Sequence, residues 1–256
     1  MSNSTEPTQA FFEACAGFGI ELESGESPRL GRFVSLLMEA NERTNLTAIR
    51  EVDEVWIRHI FDALTLLPVL GNCEPDEPGR ALRVCDVGSG GGVPGLPLAI
   101  VRSDVEFTLL EATGRKVAFL EHVVEQMQLD NVRVVQGRAE RLGAPTAPED
   151  GLWLRDRFDC VTARALGRIA VASELCSPLA RVGGVVALVK GQRADEELAE
   201  AKRALHMLHV AHAGTVDTPT GRIVVLEKLR STPRLYPRRD GEPKRSPLGV
   251  GAKPAG

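Results

Sequence analysis

Several things are scarce in these 256 residues, and each scarcity closes a possibility. No apolar run approaches the roughly 18 to 20 residues of a bilayer span. The opening MSNSTEPTQA has neither the basic start nor the apolar stretch of a signal peptide, so a cytoplasmic protein with no membrane attachment is expected. The five cysteines (Cys15, Cys73, Cys85, Cys160, Cys176) are odd in number, widely spaced and without a C-x-x-C pair. They read as reduced thiols that fill the core, and no metal site is assigned. Positive charge is in deficit: 31 Lys and Arg against 35 Asp and Glu give −4, which excludes a histone-like or wholly cationic nucleic-acid binder. Aromatics make up 4% of the chain, leaving few rings for stacking on bases. What is plentiful is apolar bulk, 43% of residues, enough for one globular domain that needs neither disulfides nor metal.

Residues 1 to about 70 read as helical. Leu30, Phe33, Val34, Leu37 and Met38 recur at spacings of three and four after Pro28, painting one face of a helix. Val55, Trp56, His59, Ile60, Ala63, Leu64 and Leu67 repeat the pattern. This region is acidic, with five basic and ten acidic side chains in residues 1–60. The turn-rich stretch GNCEPDEPG, 71–79, then reads as a linker.

From residue 80 short apolar runs alternate with helical periodicity, the pattern of a mostly parallel sheet covered on both faces. Strands are expected at 81–87, 105–110, 132–136, 158–163 and 184–190, and helices near 94–101, 115–128, 169–180 and 194–208. Two runs, 210–216 and 222–229, joined by DTPTG, predict a closing hairpin. The fold class is therefore α/β, doubly wound, with a helical cap before it and an antiparallel hairpin at its end. Residues 143–157 read as an exposed loop. Residues 228–256 hold five prolines, four glycines and a charge of +6, leaving −10 on the rest, and are expected to form a flexible basic arm.

The densest chemistry lies in Val84-Cys-Asp86-Val-Gly88-Ser-Gly90-Gly-Gly92-Val93-Pro94-Gly95, where an acid at a strand tip precedes five glycines in eight positions. Glycines let the backbone turn sharply and approach a ligand, and the following helix offers unpaired N–H groups. Two ligands fit this pattern. Gly90-x-Gly92-x-x-Gly95 with Glu111 downstream satisfies the dinucleotide fingerprint. Against it, Asp86 would repel a pyrophosphate but suits an amino acid's ammonium, and Pro94 interrupts the fingerprint before its third glycine. Asp86-Val-Gly88-Ser-Gly90-Gly-Gly92 instead resembles the first motif of Rossmann-like S-adenosylmethionine-dependent methyltransferases. Glu111 ends the second strand, where a carboxylate can accept from two vicinal hydroxyls. Gly137-Arg138-Ala139-Glu140 follows the third strand; in such enzymes that position touches the adenine.

A wider set of motifs resembles one family, the bacterial 7-methylguanosine methyltransferases of small-subunit ribosomal RNA, also called glucose-inhibited division protein B. The matching segments are Asn45-Leu-Thr-Ala-Ile49, Arg58-His-Ile-Phe-Asp62, Asp86–Gly95 with its continuation to Ile100, Leu109-Leu-Glu111, Arg115-Lys116, Phe119-Leu120, Arg138-Ala-Glu140, Thr162-Ala-Arg164-Ala165, Lys190-Gly191, Thr232–Arg239 and Gly241–Pro247. Ala63 and Gly91 depart from the family's usual residues without removing an essential group. The shifts of composition and pattern divide the chain into a flexible N-terminal segment and start of the cap (1–27), a helical cap and linker (28–79), a methyltransferase domain (80–230) and a basic, Pro/Gly-rich tail (231–256), and the resemblance covers nearly everything from residue 28 to 248.

The resemblance implies S-adenosylmethionine as cofactor, held by Gly88, Val93, Ala139, Glu140 and Arg164, to which the loop reading adds Asp86, Gly90, Gly92 and Glu111. The implied acceptor is guanine N7, whose free lone pair needs no general base, so no catalytic acid or base is assigned. His59 is read as a satisfied core residue. Arg115, Lys116, Arg164, Arg168, Lys190 and Arg193 follow carboxyl strand ends or open helices, and with Arg238 and Arg239 of the tail they are the expected RNA contacts. The partner is small-subunit rRNA in an assembled or assembling 30S subunit, and the enzyme is expected to be a monomer. The other readings are an NAD-dependent oxidoreductase and a non-catalytic RNA-binding assembly factor.

Overall fold

The computed structural model describes residues 5–146 and 151–249. The chain opens with two helices, α1 (Gln9–Phe18) and α2 (Glu26–Thr44). On α2 the predicted stripe is realised: Leu30, Phe33, Val34 and Leu37 are completely buried. A third helical segment comprises α3 (Val52–Val55), a π-helical turn (Trp56–Phe61) and α4 (Asp62–Leu64), with backbone angles that stay helical across both joins. After a short turn, α5 (Leu67–Gly71) starts with Pro68 in its first turn, where a missing N–H leaves no bond unmade.

The body then alternates β1 (Arg83–Val87), α6 (Gly95–Val101), β2 (Glu106–Glu111), α7 (Gly114–Met127), β3 (Val132–Gln136), α8 (Ala139–Leu142), β4 (Phe158–Arg164), α9 (Ile169–Cys176), β5 (Ala180–Lys190) and α10 (Ala194–Leu208). It closes with β6 (Val210–Thr218) and β7 (Gly221–Lys228), and a one-turn α11 (Glu242–Arg245) lies in the tail. The seven strands are ordered β3-β2-β1-β4-β5-β7-β6. β1 to β5 are parallel; β7 runs antiparallel to both β5 and β6. The strand order reverses between β1 and β4, which in an open α/β sheet opens a crevice at the carboxyl ends of those two strands.

Two expectations about the termini are corrected. The start of the chain is not loose over 5–27, because Phe11 of α1 is buried with its ring 4.7 Å from that of Trp56. Cap and body also share one core: Phe33, Leu37 and Trp56 pack in the same apolar cluster as Leu96, Leu109 and Leu120. Nor is the tail a free arm over 230–249. Thr232, Tyr236 and Leu248 are buried, and residues 250–256 lie outside the described residues. The supposed exposed loop 143–157 holds buried Leu154 and Arg155, and Arg155 donates to the carbonyls of Gly143 and Tyr236. The 143–157 segment and the tail are tied together by buried Arg155, a contact between distant parts of the chain that no periodicity announces.

Candidate active site

The glycine loop leaves β1 and is fastened from three sides. The backbone N–H groups of Gly88 and Ser89 donate to Leu110 O at 2.8 and 3.2 Å, and Gly92 N–H donates to Ser89 O at 2.7 Å. Gly90 N–H donates to Glu111 Oε2 at 3.0 Å, while Thr113 N–H donates to Oε1 of the same carboxylate at 2.8 Å. Gly95 N–H donates to Asp86 Oδ2 at 3.2 Å, and the Thr162 hydroxyl donates to Asp86 Oδ1 at 3.2 Å. Glycine is required at position 92, with φ +84°, because a Cβ there would lie 2.2 Å from Leu96 Cδ1. Gly88, φ +73°, has Leu166 Cδ1 3.0 Å from where its Cβ would be.

Three cavities follow one another along the carboxyl edge. The first, about 380 Å³, is lined by Gly88, Leu110, Glu111, Gly137–Glu140, Leu166 and the tail residues Gly241, Pro243 and Lys244. The second, about 240 Å³, shares Gly88, Ala165 and Leu166 with the first and adds Thr47, His59, Ser89, Gly90, Val93, Lys116 and Arg164. The third, about 440 Å³, shares Arg164 and Ala165 with the second and is otherwise lined by Arg58, Asp62, Lys190, Arg193 and neighbours. Ala165, which lines all three cavities, adopts φ +57°, an uncommon conformation for a residue other than glycine. A larger cavity, about 520 Å³, lies at the amino ends of β2 and β3, near Arg83, Glu106 and Val132, away from the switch point.

The structure brings together Gly88, Gly90, Val93, Glu111, Ala139, Glu140 and Arg164 around the first two cavities, and it corrects two of the expected ligand contacts. Asp86 is 1% exposed and lines neither cavity; it clamps the start of α6 to β4. Burial raises its pKa from 3.8 to about 6, against the opposing pull of the Gly95 N–H. Gly92 faces Leu96 and Leu120 and serves packing. Glu140 lines the first cavity, but its Oε1 accepts the Gly241 N–H at 2.9 Å. Arg164 is held by the cap: Nη1 donates to Arg58 O at 2.7 Å and pairs with Asp62 Oδ2 at 3.2 Å, and Nη2 lies 2.9 Å from His59 Nδ1.

His59, absent from the expected site, is a wall of it. Its Nε2 is 2.7 Å from the Thr47 hydroxyl, and burial together with the Arg164 charge lowers its pKa to about 4. The ring is therefore neutral at physiological pH, with Nδ1 turned to the guanidinium that it helps to hold. The motifs Asn45–Ile49 and Arg58–Asp62 contained this information, but helical spacing alone could not say which face meets the sheet.

The expected RNA contacts differ in availability. Arg115 is exposed and Lys116 half-buried at the start of α7, and Arg239 is exposed in the tail. Lys190 pairs with Glu197, Arg193 with Glu196 and Arg168 with Glu200, all toward α10. Arg238 is corrected: it is bound to the fully buried Glu174 at 2.6 Å and is not a free cation for phosphate.

The chain matches the family model "GidB: rRNA small subunit methyltransferase G" over residues 26–222. It is 45% identical over 233 residues to ribosomal RNA small subunit methyltransferase G of Sorangium cellulosum, covering 91% of this chain and 92% of that one. The chain belongs to this family. A relative of the same name from Lactobacillus delbrueckii subsp. bulgaricus is 37% identical over 246 residues, covering 94% and 99% of the two chains. In fold, the chain is similar to the citrinin polyketide synthase CMeT domain, with a TM-score of 0.50 at 13% identity over 79% of this chain and 57% of that one. The architecture is the Rossmann-like methyltransferase fold, and this family member is an rRNA methyltransferase.

Proposed function

We propose that this methyltransferase moves a methyl group from S-adenosylmethionine to N7 of a guanine in small-subunit rRNA. The observation that carries the cofactor is the state of the loop donors: the N–H groups of Gly88, Ser89, Gly90, Gly92 and Gly95 already meet protein acceptors. A pyrophosphate would need such donors free, whereas a nucleoside and an amino acid need a shaped cleft and a carboxylate. Glu111 supplies the carboxylate. Its two bonded oxygens keep lone pairs for sugar hydroxyls, since an ionised carboxyl offers about four acceptor sites. The cleft fits the group: a first cavity beside Glu111 and Ala139 for the nucleoside, a second beside Gly88 and Val93 for the amino-acid part.

When bound, S-adenosylmethionine supplies an electrophilic methyl on a sulfonium. The chain's own residues supply position. Gly88 and Leu166 narrow the passage between the cavities, and Val93 with Leu37 and Leu46 gives an apolar wall. Arg164, locked by Arg58, Asp62 and neutral His59, stands between the second cavity and the third, where the target base would enter. A locked guanidinium keeps its geometry as substrate binds, which is how positioning lowers a barrier. Reaching N7 requires an unpaired or flipped-out guanine. Arg115, Lys116 and Arg239 are the proposed phosphate contacts, with Lys190 and Arg193 at the third cavity rearranging from their glutamate partners.

We further propose an assembled or assembling small subunit as substrate, a monomeric enzyme and a cytoplasmic location; among the described residues no helix is long and apolar enough to cross a membrane. The experiment is methylation of small subunits from cells lacking the enzyme, followed by borohydride reduction and aniline scission of the rRNA. One new strand break at a guanosine is expected. Methyl incorporation without such a break contradicts N7 as the acceptor.

A further inference from the structure

The tail, residues 229–249, contributes only Arg239 to the proposed function, yet buried side chains elsewhere in the chain hold it in two places. Its first part is held by buried Arg155, which donates to the carbonyls of Thr232 and Tyr236. Its second part is held by Glu174 of α9. Glu174 Oε1 accepts from the backbone N–H of Arg238 at 2.9 Å and from its Nε at 2.8 Å, and Oε2 accepts from Nη2 at 2.6 Å. Glu174 is completely buried, and a carboxylate removed from water must be matched by charge and hydrogen bonds. Arg238 also donates from Nη2 to Ser246 O at 2.8 Å, so one guanidinium gathers both ends of the segment 238–246.

Between those ends the segment reaches the first cavity. Gly241 N–H donates to Glu140 Oε1 at 2.9 Å, Asp240 pairs with Arg141 at 2.7 Å, and Gly241, buried Pro243 and Lys244 line the cavity beside Glu111 and Ala139. The Arg238 guanidinium, on Glu174 and Ser246 O, ties the two ends of the segment, and the Gly241–Glu140 bond ties its middle. We propose that residues 238–246 are a strap completing the wall of the adenosyl cavity, positioned by the Arg238–Glu174 pair, so that cofactor affinity depends on the tail. Arg238 and Glu174 are thus positioning residues for cofactor binding, and Glu140 acts by holding the strap. This inference rests on assigning the first cavity to the adenosyl group.

The test is calorimetric binding of S-adenosylhomocysteine to the full chain and to Arg238→Gln, with limited tryptic digestion of the wild type. Arg238→Gln is expected to weaken binding by about tenfold, because the strap must then be ordered at the moment of binding. In the wild type the ligand is expected to slow cleavage after Arg239, Lys244 and Arg245 while leaving cleavage after Arg230 unchanged. If Arg238→Gln does not fold, the digestion decides alone. Binding by the wild type without protection of those three bonds, or an unchanged affinity in a folded Arg238→Gln, overturns the strap. No binding of adenosylhomocysteine to the wild type overturns the cavity assignment itself, and the strap with it.

Discussion

Asp86 and Glu111 are both acids at strand tips, and the fold gives them opposite surroundings. Glu111 borders a cavity, whereas Asp86 is sealed beneath the loop, its charge disfavoured by burial. Its protonated form is therefore favoured by folding: stability contributed by that proton is complete below about pH 4 and is lost as pH rises through about 6. Asp86→Asn should remove this loss, so that urea unfolding shows the variant gaining up to about 3 kcal/mol on the wild type between pH 4 and pH 7. An unchanged difference across that range contradicts the assignment. For Arg164, whose fork spans Arg58 O, Asp62 and His59, Arg164→Lys should lower kcat/KM on small subunits by about a hundredfold through lost positioning. The sequence located both acids and Arg164, but not their directions. A strand-tip carboxylate reads the same whether it faces a ligand or the first turn of the next helix.

Elements with a regular repeat were legible. The stripe on α2, the five parallel strands and the β6–β7 hairpin follow from periods of 3.6 and 2, which depend only on neighbours in the chain. Elements fixed by distant partners were not. α1 presents little more than Phe11 and Cys15 to the core, and the tail depends on Arg155 and Glu174 far away in sequence. Packing between the start, the cap and the body was hidden for the same reason: Phe11 meets Trp56, and Leu37 meets the core of α6 and α7. Phe11→Ala should cost about 3–5 kcal/mol by leaving a cavity against Trp56, read from denaturant unfolding. Gly92→Ala should destabilise by at least about 1–3 kcal/mol, since its Cβ would overlap Leu96.

At the scale of the molecule, the strand order gathers the chemistry. Reversal between β1 and β4 sets the glycine loop against Arg164 and Ala165, and the cap closes over both. The chain carries a net charge of −4, and the cations Arg115 and Arg239 are exposed and Lys116 half-buried near the cleft and in the tail. Replacing Arg115 or Lys116 by Ala should weaken subunit binding and lower the salt dependence, the slope of log K against log salt, by roughly one each. The loop, Glu111 and the Ala139–Glu140 turn were readable from motif order, while the walls from Thr47, His59 and the tail needed the folded chain. The cleft between β1 and β4 is the proposed seat of the adenosyl group. A crystal structure with S-adenosylhomocysteine tests this most directly: the sugar hydroxyls should lie on Glu111 and the amino-acid part beside Gly88 and Val93. Ligand density elsewhere, with Glu111 still bonded only to Gly90 and Thr113, would contradict it.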